Sequence, residues 1–335
     1  MRLQTLVPHI SAELIDALEQ CGIRTDAELL FPGNIADIYS RLPHGSTTLS
    51  ELHNSFAIVA EKAAAPAFRA DELLRIGAVD AYDLSSGVHE LDQLLGGFGD
   101  NRLIEISGDK ASGKTALALQ IVLRHLSENS DYVAHWIDTT GEFSPQRAVT
   151  VLQSLGGNVA ESTALERLQV SLAFDIEAAH DVLENLGATL GSPPTVRCIV
   201  LDSVTPLLGP ALNNVSSQGH ATMTTFMRQL RAVAQRFKLT ILVINSTAGC
   251  APSNPHSAFS TTTRKPALGP SFTFLTDATL WLAKYPRTPN PDEMDTGEAP
   301  THIAEVFRSK TTRSRTWCSF TIRDSVLSSA SPESV

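Results

Sequence analysis

The run GDKASGKT, Gly108 to Thr115, sets two glycines, a lysine and a threonine at the spacing G-x-x-x-x-G-K-[ST]. It follows the apolar run Leu103 to Ser107 and precedes the amphipathic stretch Thr115 to Leu126, so the pattern predicts a strand, a phosphate-binding loop and a helix. In that setting the backbone of Gly108, Asp109, Lys110, Ala111, Ser112 and Gly113 wraps close to phosphate oxygens, and successive amides and the helix N-terminus turn positive dipole toward them. Lys114 adds a point charge, and Thr115 adds a hydroxyl that can hold Mg2+. Downstream, CIVLDS reads as a buried strand ending in Asp202, the carboxylate that would orient the metal through water. Alone, an acid at a strand end is an ordinary turn residue; the loop upstream is what makes Asp202 a metal-site candidate. The expected cofactors are ATP and Mg2+.

Short apolar runs alternating with helix-length amphipathic segments from residue 83 onward predict a mostly parallel sheet to hold these residues. The candidate strands are Leu103 to Ser107, Tyr132 to Asp138, Leu168 to Leu172, Cys198 to Asp202, Thr240 to Asn245 and Ala278 to Ala283. Helical periodicity falls on Thr115 to Leu126, Ile176 to Leu190 and Gln218 to Phe237. Beyond Ala283, Ile303 to Arg308 and Trp317 to Arg323 read as an antiparallel extension, and a Ser-rich tail, 326–335, is expected to be disordered. Residues 1–60 read as a small all-helical domain. Ser11 opens a helix with Leu14, Leu18 and Cys21 on one face, Thr25 and Glu28 form a capping box, and Leu49, Leu52, Phe56 and Val59 form one stripe. Residues 61–82, with Pro66 and Gly77, lack a clean period and read as a linker. The core is then 83–325.

A net charge of -10 over 335 residues excludes a protein coated in nucleic acid, because phosphate affinity comes from Lys and Arg. Any nucleic-acid site is a local patch. Cys21, Cys198, Cys250 and Cys318 have no paired spacing, which predicts neither zinc nor a disulfide framework and fits a reducing compartment. No apolar run approaches the roughly 20 residues of a membrane span, and the first residues lack a secretory pattern, so a soluble intracellular protein with no membrane partner is expected.

The order of GDKASGKT, WIDTTGEFSPQR, IVLDS and VINST, followed by KPALGPSFTFLTDATLWL, resembles the RecA/eukaryotic recombinase family across nearly the whole chain. SSGVHELDQLLGG, 85–97, is similar to the segment that precedes the phosphate loop there; by itself it reads as a Ser-capped helix with Val88, Leu91 and Leu95 inward and Gly96 at its C-cap. VSLAFDIEAAHDVLENL, KPALGPSF and the capped N-terminal helices resemble the family's D-type paralogues. The resemblance implies an α/β RecA-like P-loop ATPase core, a mostly parallel twisted sheet with an antiparallel C-terminal extension, preceded by the small helical domain. It also implies a nuclear protein of homologous recombination and DNA repair.

Departures from the family pattern carry as much information. Active members have a glutamate as general base where this chain has Thr140, before Gly141; Glu142 lies two residues on, past a glycine that favours a turn. The family's phosphate-sensing glutamine falls on Ser246. A missing base costs about 10²- to 10⁴-fold in rate, so firm ATP binding with slow hydrolysis is expected. Two loops that face DNA in the family correspond to 207–219, which has no charge, and 247–269, which offers Arg264 and Lys265. Arg308, Lys310 and Arg313 add a basic stretch that reads either as a DNA patch or as a solvated edge discouraging strand addition. Phe68, in FRAD, misses the family's self-assembly spacing by one; it either anchors the linker or docks on another paralogue. The leading reading is a mediator that joins other paralogues, engages single-stranded DNA weakly or through partners, and assists the main recombinase. The rivals are a self-assembling, ATP-dependent strand-exchange recombinase, a scaffold with a vestigial P-loop, and a metabolic P-loop kinase, which the missing Arg-rich lid disfavours.

Overall fold

The computed structural model describes residues 2–31, 34–64, 69–72, 75, 82, 84–99, 101–156, 161–190, 195–212, 217–249, 256, 263–285 and 300–330. The chain divides into two compact units, Met1–Val79 and Asp80–Val335.

In the first unit the helices are α1 (Ala12–Gln20), α2 (Asp26–Leu30), α3 (Ile35–Arg41) and α4 (Leu49–Ala63). Their starts are written in the caps. Ser11 accepts from the Leu14 N–H, Asn34 accepts from Ala36, and reciprocal boxes join Thr25 to Glu28 and Thr48 to Glu51. Leu14, Leu18, Leu29, Ile38, Leu52 and Val59 meet in one small core. The stripe expected on α4 holds at Leu52 and Val59, but Leu49 is exposed. The helix begins at Leu49 itself, so this side chain leaves from the first turn, outside the stripe's packed length.

The second unit is built on a nine-stranded sheet. Its strands are β1 (Leu103–Gly108), β2 (Tyr132–Asp138), β3 (Leu168–Leu172), β4 (Thr195–Asp202), β5 (Thr240–Asn245), β8 (Ala278–Lys284), β9 (Thr301–Ser309), β10 (Trp317–Arg323) and β11 (Val326–Ser329). A separate antiparallel ribbon pairs β6 (Thr247–Gly249) with β7 (Arg264–Pro266). The sheet order is β11-β10-β9-β8-β1-β5-β4-β2-β3. Its six strands from β8 to β3 are parallel, and β9, β10 and β11 extend it antiparallel.

The central strands are apolar on both sides because helices cover both faces. On one face Ile104, Ile106, Trp136, Val200 and Ile244 pack with Leu91 and Leu95 of α5 (His89–Leu95) and Leu117 and Ile121 of α6 (Lys114–Glu128). On the other, Ile199, Leu201, Ile241 and Val243 pack with Leu183 of α9 (Ile176–Thr189), Leu207 of α10 (Val204–Leu208), Phe226 and Leu230 of α11 (Ser217–Phe237) and Phe272 of α12 (Pro270–Leu275). Helices α7 (Pro145–Leu155) and α8 (Glu161–Glu166) complete the first layer.

Two expectations are corrected. The tail assigned as disordered, 326–335, begins with β11, and Leu327 is buried with its backbone N–H donating to Gln120 Oε1 at 2.7 Å. Asp324 and Ser325 both take positive φ, the geometry of a tight two-residue hairpin turn. Helix α5 is not Ser-capped either: its N-cap is Val88 without a side-chain bond. Ser86 lies two residues earlier, accepting from the Val88 N–H at 3.1 Å while its hydroxyl donates to Asp92 Oδ1 at 2.7 Å.

Candidate functional site

Parallel pairing brings the ends of β1, β4 and β2 to one edge of the sheet. Gly108 ends β1, and Asp138 and Asp202, at the ends of β2 and β4, are register partners. The helix that follows β1 starts at Lys114, with Gly113 as a left-handed N-cap at φ 97°. A Cβ on Gly113 would stand 2.5 Å from Ile322 Cδ1, and one on Gly108 would collide with Leu282 O and Ser112 Oγ. Both glycines of the motif are therefore required by the turn and its floor, apart from any ligand.

The loop's polar groups fit a phosphate. Lys114 Nζ donates to the carbonyls of Gly108 at 2.8 Å and Asp109 at 2.7 Å. Burial lowers the Lys114 pKa, with Asp202 and Asp109 opposing the shift, so this ammonium sits where an added anion would stabilise it. Ser112 Oγ is buried with no hydrogen-bond partner among the described residues. Thr115 Oγ1 donates to Asp202 Oδ2 at 3.0 Å, and burial pushes the Asp202 carboxyl up to about 6. The hydroxyl and carboxylate expected to serve Mg2+ are thus side by side.

Thr140 and Glu142 lie in a turn organised by Asp138. Asp138 Oδ1 accepts from the backbone N–H of Thr140 at 2.9 Å and of Gly141 at 2.8 Å, and Oδ2 accepts from Phe143 at 2.9 Å. The Thr140 hydroxyl also donates to Asp138, at 3.2 Å. Gly141 takes φ 73°, and Glu142 beyond it is exposed. Ser246 donates its backbone N–H to Thr205 Oγ1 at 2.9 Å.

The two groups of basic residues expected from the sequence lie at opposite edges of the sheet. Arg264 and Lys265 lie on the β6–β7 ribbon beyond β5, at the edge that carries Gly108. Arg264 Nε donates to Asp109 Oδ1 at 2.9 Å, and the same oxygen accepts from the Thr247 hydroxyl, so Arg264 is clasped to the phosphate loop. Lys265 is exposed. Arg308 and Lys310 stand at the opposite edge, because antiparallel β9 pairs Arg308 with Thr279 and Ser309 with Ala278. There Lys310 donates to Asp277 Oδ1 at 2.8 Å, and Arg308 donates to the carbonyls of Thr273 and Thr276. Arg313 is exposed on the β9–β10 connection. Phe68 lies outside the described residues, as does most of 247–269.

One group that sequence reasoning missed is Glu105, wholly buried in β1. Its Oε1 accepts from Asn245 Nδ2 at 2.7 Å and its Oε2 from Thr279 Oγ1 at 2.7 Å. Asn245 also donates to Ala267 O at 3.1 Å and accepts from Thr205 Oγ1 at 2.8 Å. Ser107 Oγ donates to Ser246 O, which also accepts from the Ala267 N–H. Glu105 therefore anchors a network that ties both feet of the segment between Ser246 and Ala267 to the strand carrying the phosphate loop. A single acid inside LIEIS was the only signal, and its partners come from strands 140 and 174 residues away.

Burial raises the Glu105 pKa to about 7, against the bonds from Asn245 and Thr279. The folded state therefore holds a proton that the unfolded chain gives up above the ordinary glutamate value of 4.5. Its contribution to stability is complete below that value and is lost as pH rises toward 7, a change of about 3 kcal/mol. Chemical denaturation of wild type and Glu105→Gln at pH 5 and pH 8 is expected to show this loss in wild type and its removal in the variant. Parallel pH profiles would refute it.

An α/β core with a phosphate loop after its central strand, a strand-end aspartate beside the loop threonine, and an antiparallel extension defines a RecA-like protein. Residues 79–286 match the Rad51 family model, and the chain belongs to that family. DNA repair protein RAD51 homolog 4 of Bos taurus is 28% identical over 84% of this chain and 78% of its own length. The Mus musculus protein of the same name is 26% identical over the same shares. DNA repair and recombination protein RadB of Thermococcus kodakarensis is 32% identical over 48% of this chain and 69% of its own. The crystal structure of the RadB recombinase aligns with a TM-score of 0.58 at 24% identity, covering 74% of this chain and all of that one. No helix among the described residues is long and apolar enough to cross a membrane.

Proposed function

We propose that this chain is an ATP-binding recombinase paralogue that acts in homologous recombination and DNA repair as a mediator. In this reading it works in the nucleus, joins other paralogues in a hetero-oligomer, engages single-stranded DNA weakly or through those partners, and assists the main recombinase. The observation that carries it is the contrast within one sheet edge. The groups that would hold phosphate and metal stand together, with half-buried Lys114 against two carbonyls and Thr115 on Asp202. The hydrolytic half has a threonine already bonded to Asp138 where a base is needed.

When bound, Mg-ATP would supply the triphosphate charge that this loop lacks. Gly108 to Gly113 would offer backbone amides, Lys114 would neutralise phosphate oxygens, and Thr115 with Asp202 would hold the metal. Nucleotide then favours the ordered edge by mass action and serves as structural linkage more than as fuel. The β6–β7 ribbon is the element best placed to respond, since Thr247 and Arg264 both reach Asp109.

A self-assembling recombinase is the second reading, disfavoured by Thr140 and Ser246. The two separate in one experiment. Sedimentation of the purified chain with Mg-ATP is expected to show a small discrete species that grows only when a partner paralogue is added. Long homopolymers formed by the chain alone would overturn the mediator reading.

A further inference from the structure

The C-terminal wing of the sheet exposes three large aromatic rings, Phe274 at 65%, Phe307 at 45% and Trp317 at 45%. The strand register puts them on one side. Trp281 of β8 pairs with Glu305 of β9, which pairs with Trp317 of β10, and residues directly opposite in an antiparallel ladder project to the same face. Phe307, two residues past Glu305, has its ring centroid 6.3 Å from that of Trp281. Thr279, two before Trp281, shares this face; a register shift between Thr279 and Leu280 leaves Phe307 as the extra residue and sets Arg308 beside it opposite Thr279, its guanidinium 4.7 Å from the Phe274 ring centroid. The Thr273 and Thr276 carbonyls, at 3.0 and 3.1 Å, hold that guanidinium in place.

Charge on this wing runs opposite to that of the chain. Residues 300–329 contain Arg308, Lys310, Arg313, Arg315 and Arg323 against two acids, Glu305 and Asp324, in a protein of net charge -10. Glu305 is buried, while Arg313 and Arg315 are exposed. The Arg315 N–H donates to Val306 O at 2.7 Å, so the connection folds back beside Phe307. Cations interleaved with exposed rings are the combination that binds unpaired nucleotides, because every base has a face to stack and the backbone follows the charge. A protein partner would have to desolvate this cluster of guanidinium groups without a matching acid from this side.

We propose that the face formed by Phe274, Phe307, Trp317, Arg308, Arg313 and Arg315 binds single-stranded nucleic acid, with bases stacked on Phe307 and Trp317 and the backbone tracked by the arginines. The proposal rests on the single-strand engagement proposed above and places its main contact on the antiparallel wing.

The test is binding of fluorescein-labelled oligo-dT to the purified full chain at low salt, with Tm checked for every variant. Trp317→Ala and the double variant Arg313→Ala/Arg315→Ala are each expected to weaken binding by about tenfold, the effect of losing roughly one stacked base or its cation contact. Lys265→Ala is expected to stay within about twofold of wild type, since a single exposed cation contributes little. Unlabelled oligonucleotide should also quench tryptophan emission, because of the three tryptophans Trp136 and Trp281 are buried and Trp317 is exposed. Wild-type affinity in both wing variants with loss in Lys265→Ala would overturn the wing and keep single-strand engagement at the ribbon. Absence of binding by wild type would overturn that engagement itself. A Trp317→Ala variant that changes the oligomeric state and leaves oligonucleotide affinity intact would make the wing a protein interface and overturn the proposal.

Discussion

ATP turnover by the purified protein is expected to run about 10²- to 10⁴-fold below that of a P-loop ATPase with a working general base, and Glu142→Ala is expected to leave the slow rate unchanged. The reason is local geometry at the end of β2. The Asp138 carboxylate spends both oxygens on backbone N–H groups of Thr140, Gly141 and Phe143. Burial raises its pKa, but those bonds outweigh burial and hold it below the usual carboxylate value, so it is a firmly ionised turn-former. Thr140, tied to it, has no basic atom. Glu142 follows a left-handed glycine and faces solvent, turned away from the strand line it would need to continue. Single-turnover hydrolysis with and without single-stranded DNA is the measurement. A fast rate that disappears in Glu142→Ala would put the base at Glu142 and make the chain a motor. Thr140→Glu is the converse test, expected to raise the rate, since the strand end already lies beside Asp202.

Legibility of the chain followed the range of the interactions involved. Gly108 to Thr115 could be read because both the turn and the helix start are set by residues adjacent in sequence, and the central strands because burial on both faces makes them continuously apolar. The box at Thr25 and Glu28 is legible for the same reason, and the identical device at Thr48 and Glu51 starts α4 ahead of its apolar stripe. The composition of β11, VLSS, is that of a tail; antiparallel pairing with β10 makes it a strand, and Gln120, some 207 residues away, holds Leu327 by both its N–H and its carbonyl.

Charged residues were the hardest to place, because a charge in a sequence does not announce its partner. Arg264 looked like a phosphate ligand and is held by Asp109; Lys310 looked free and is paired with Asp277. The reversal of chain direction in β9 carries Arg308 to the edge opposite Arg264, which composition alone does not show. The same reversal lines up Trp281, Glu305 and Trp317, which have no shared periodicity in the sequence.

Lys114→Ala is expected to abolish stabilisation by ATP. At a ligand concentration of 100 Kd, binding to the folded state alone contributes about 2.7 kcal/mol, which for a core of this size corresponds to a rise in Tm of roughly 5–10 °C. The variant should lose this rise while keeping the apo Tm, because Lys114 Nζ meets only two carbonyls, both of which lie at a solvent-reachable loop. Differential scanning fluorimetry with Mg-ATP and a partner pull-down on the same samples then divide the remaining readings. If partner binding falls together with the ATP-dependent rise, nucleotide is the linkage that orders the interface edge, and the Asp109 clasp to Thr247 and Arg264 is its shortest route. If the rise disappears while partner binding is untouched, the loop is a retained fold element and the chain is a scaffold. No rise in wild type would remove the nucleotide from the account altogether. The half-buried Lys114 charge argues for the first outcome: burial lowers its pKa against the pull of Asp202 and Asp109, and an arriving anion offsets that remaining cost.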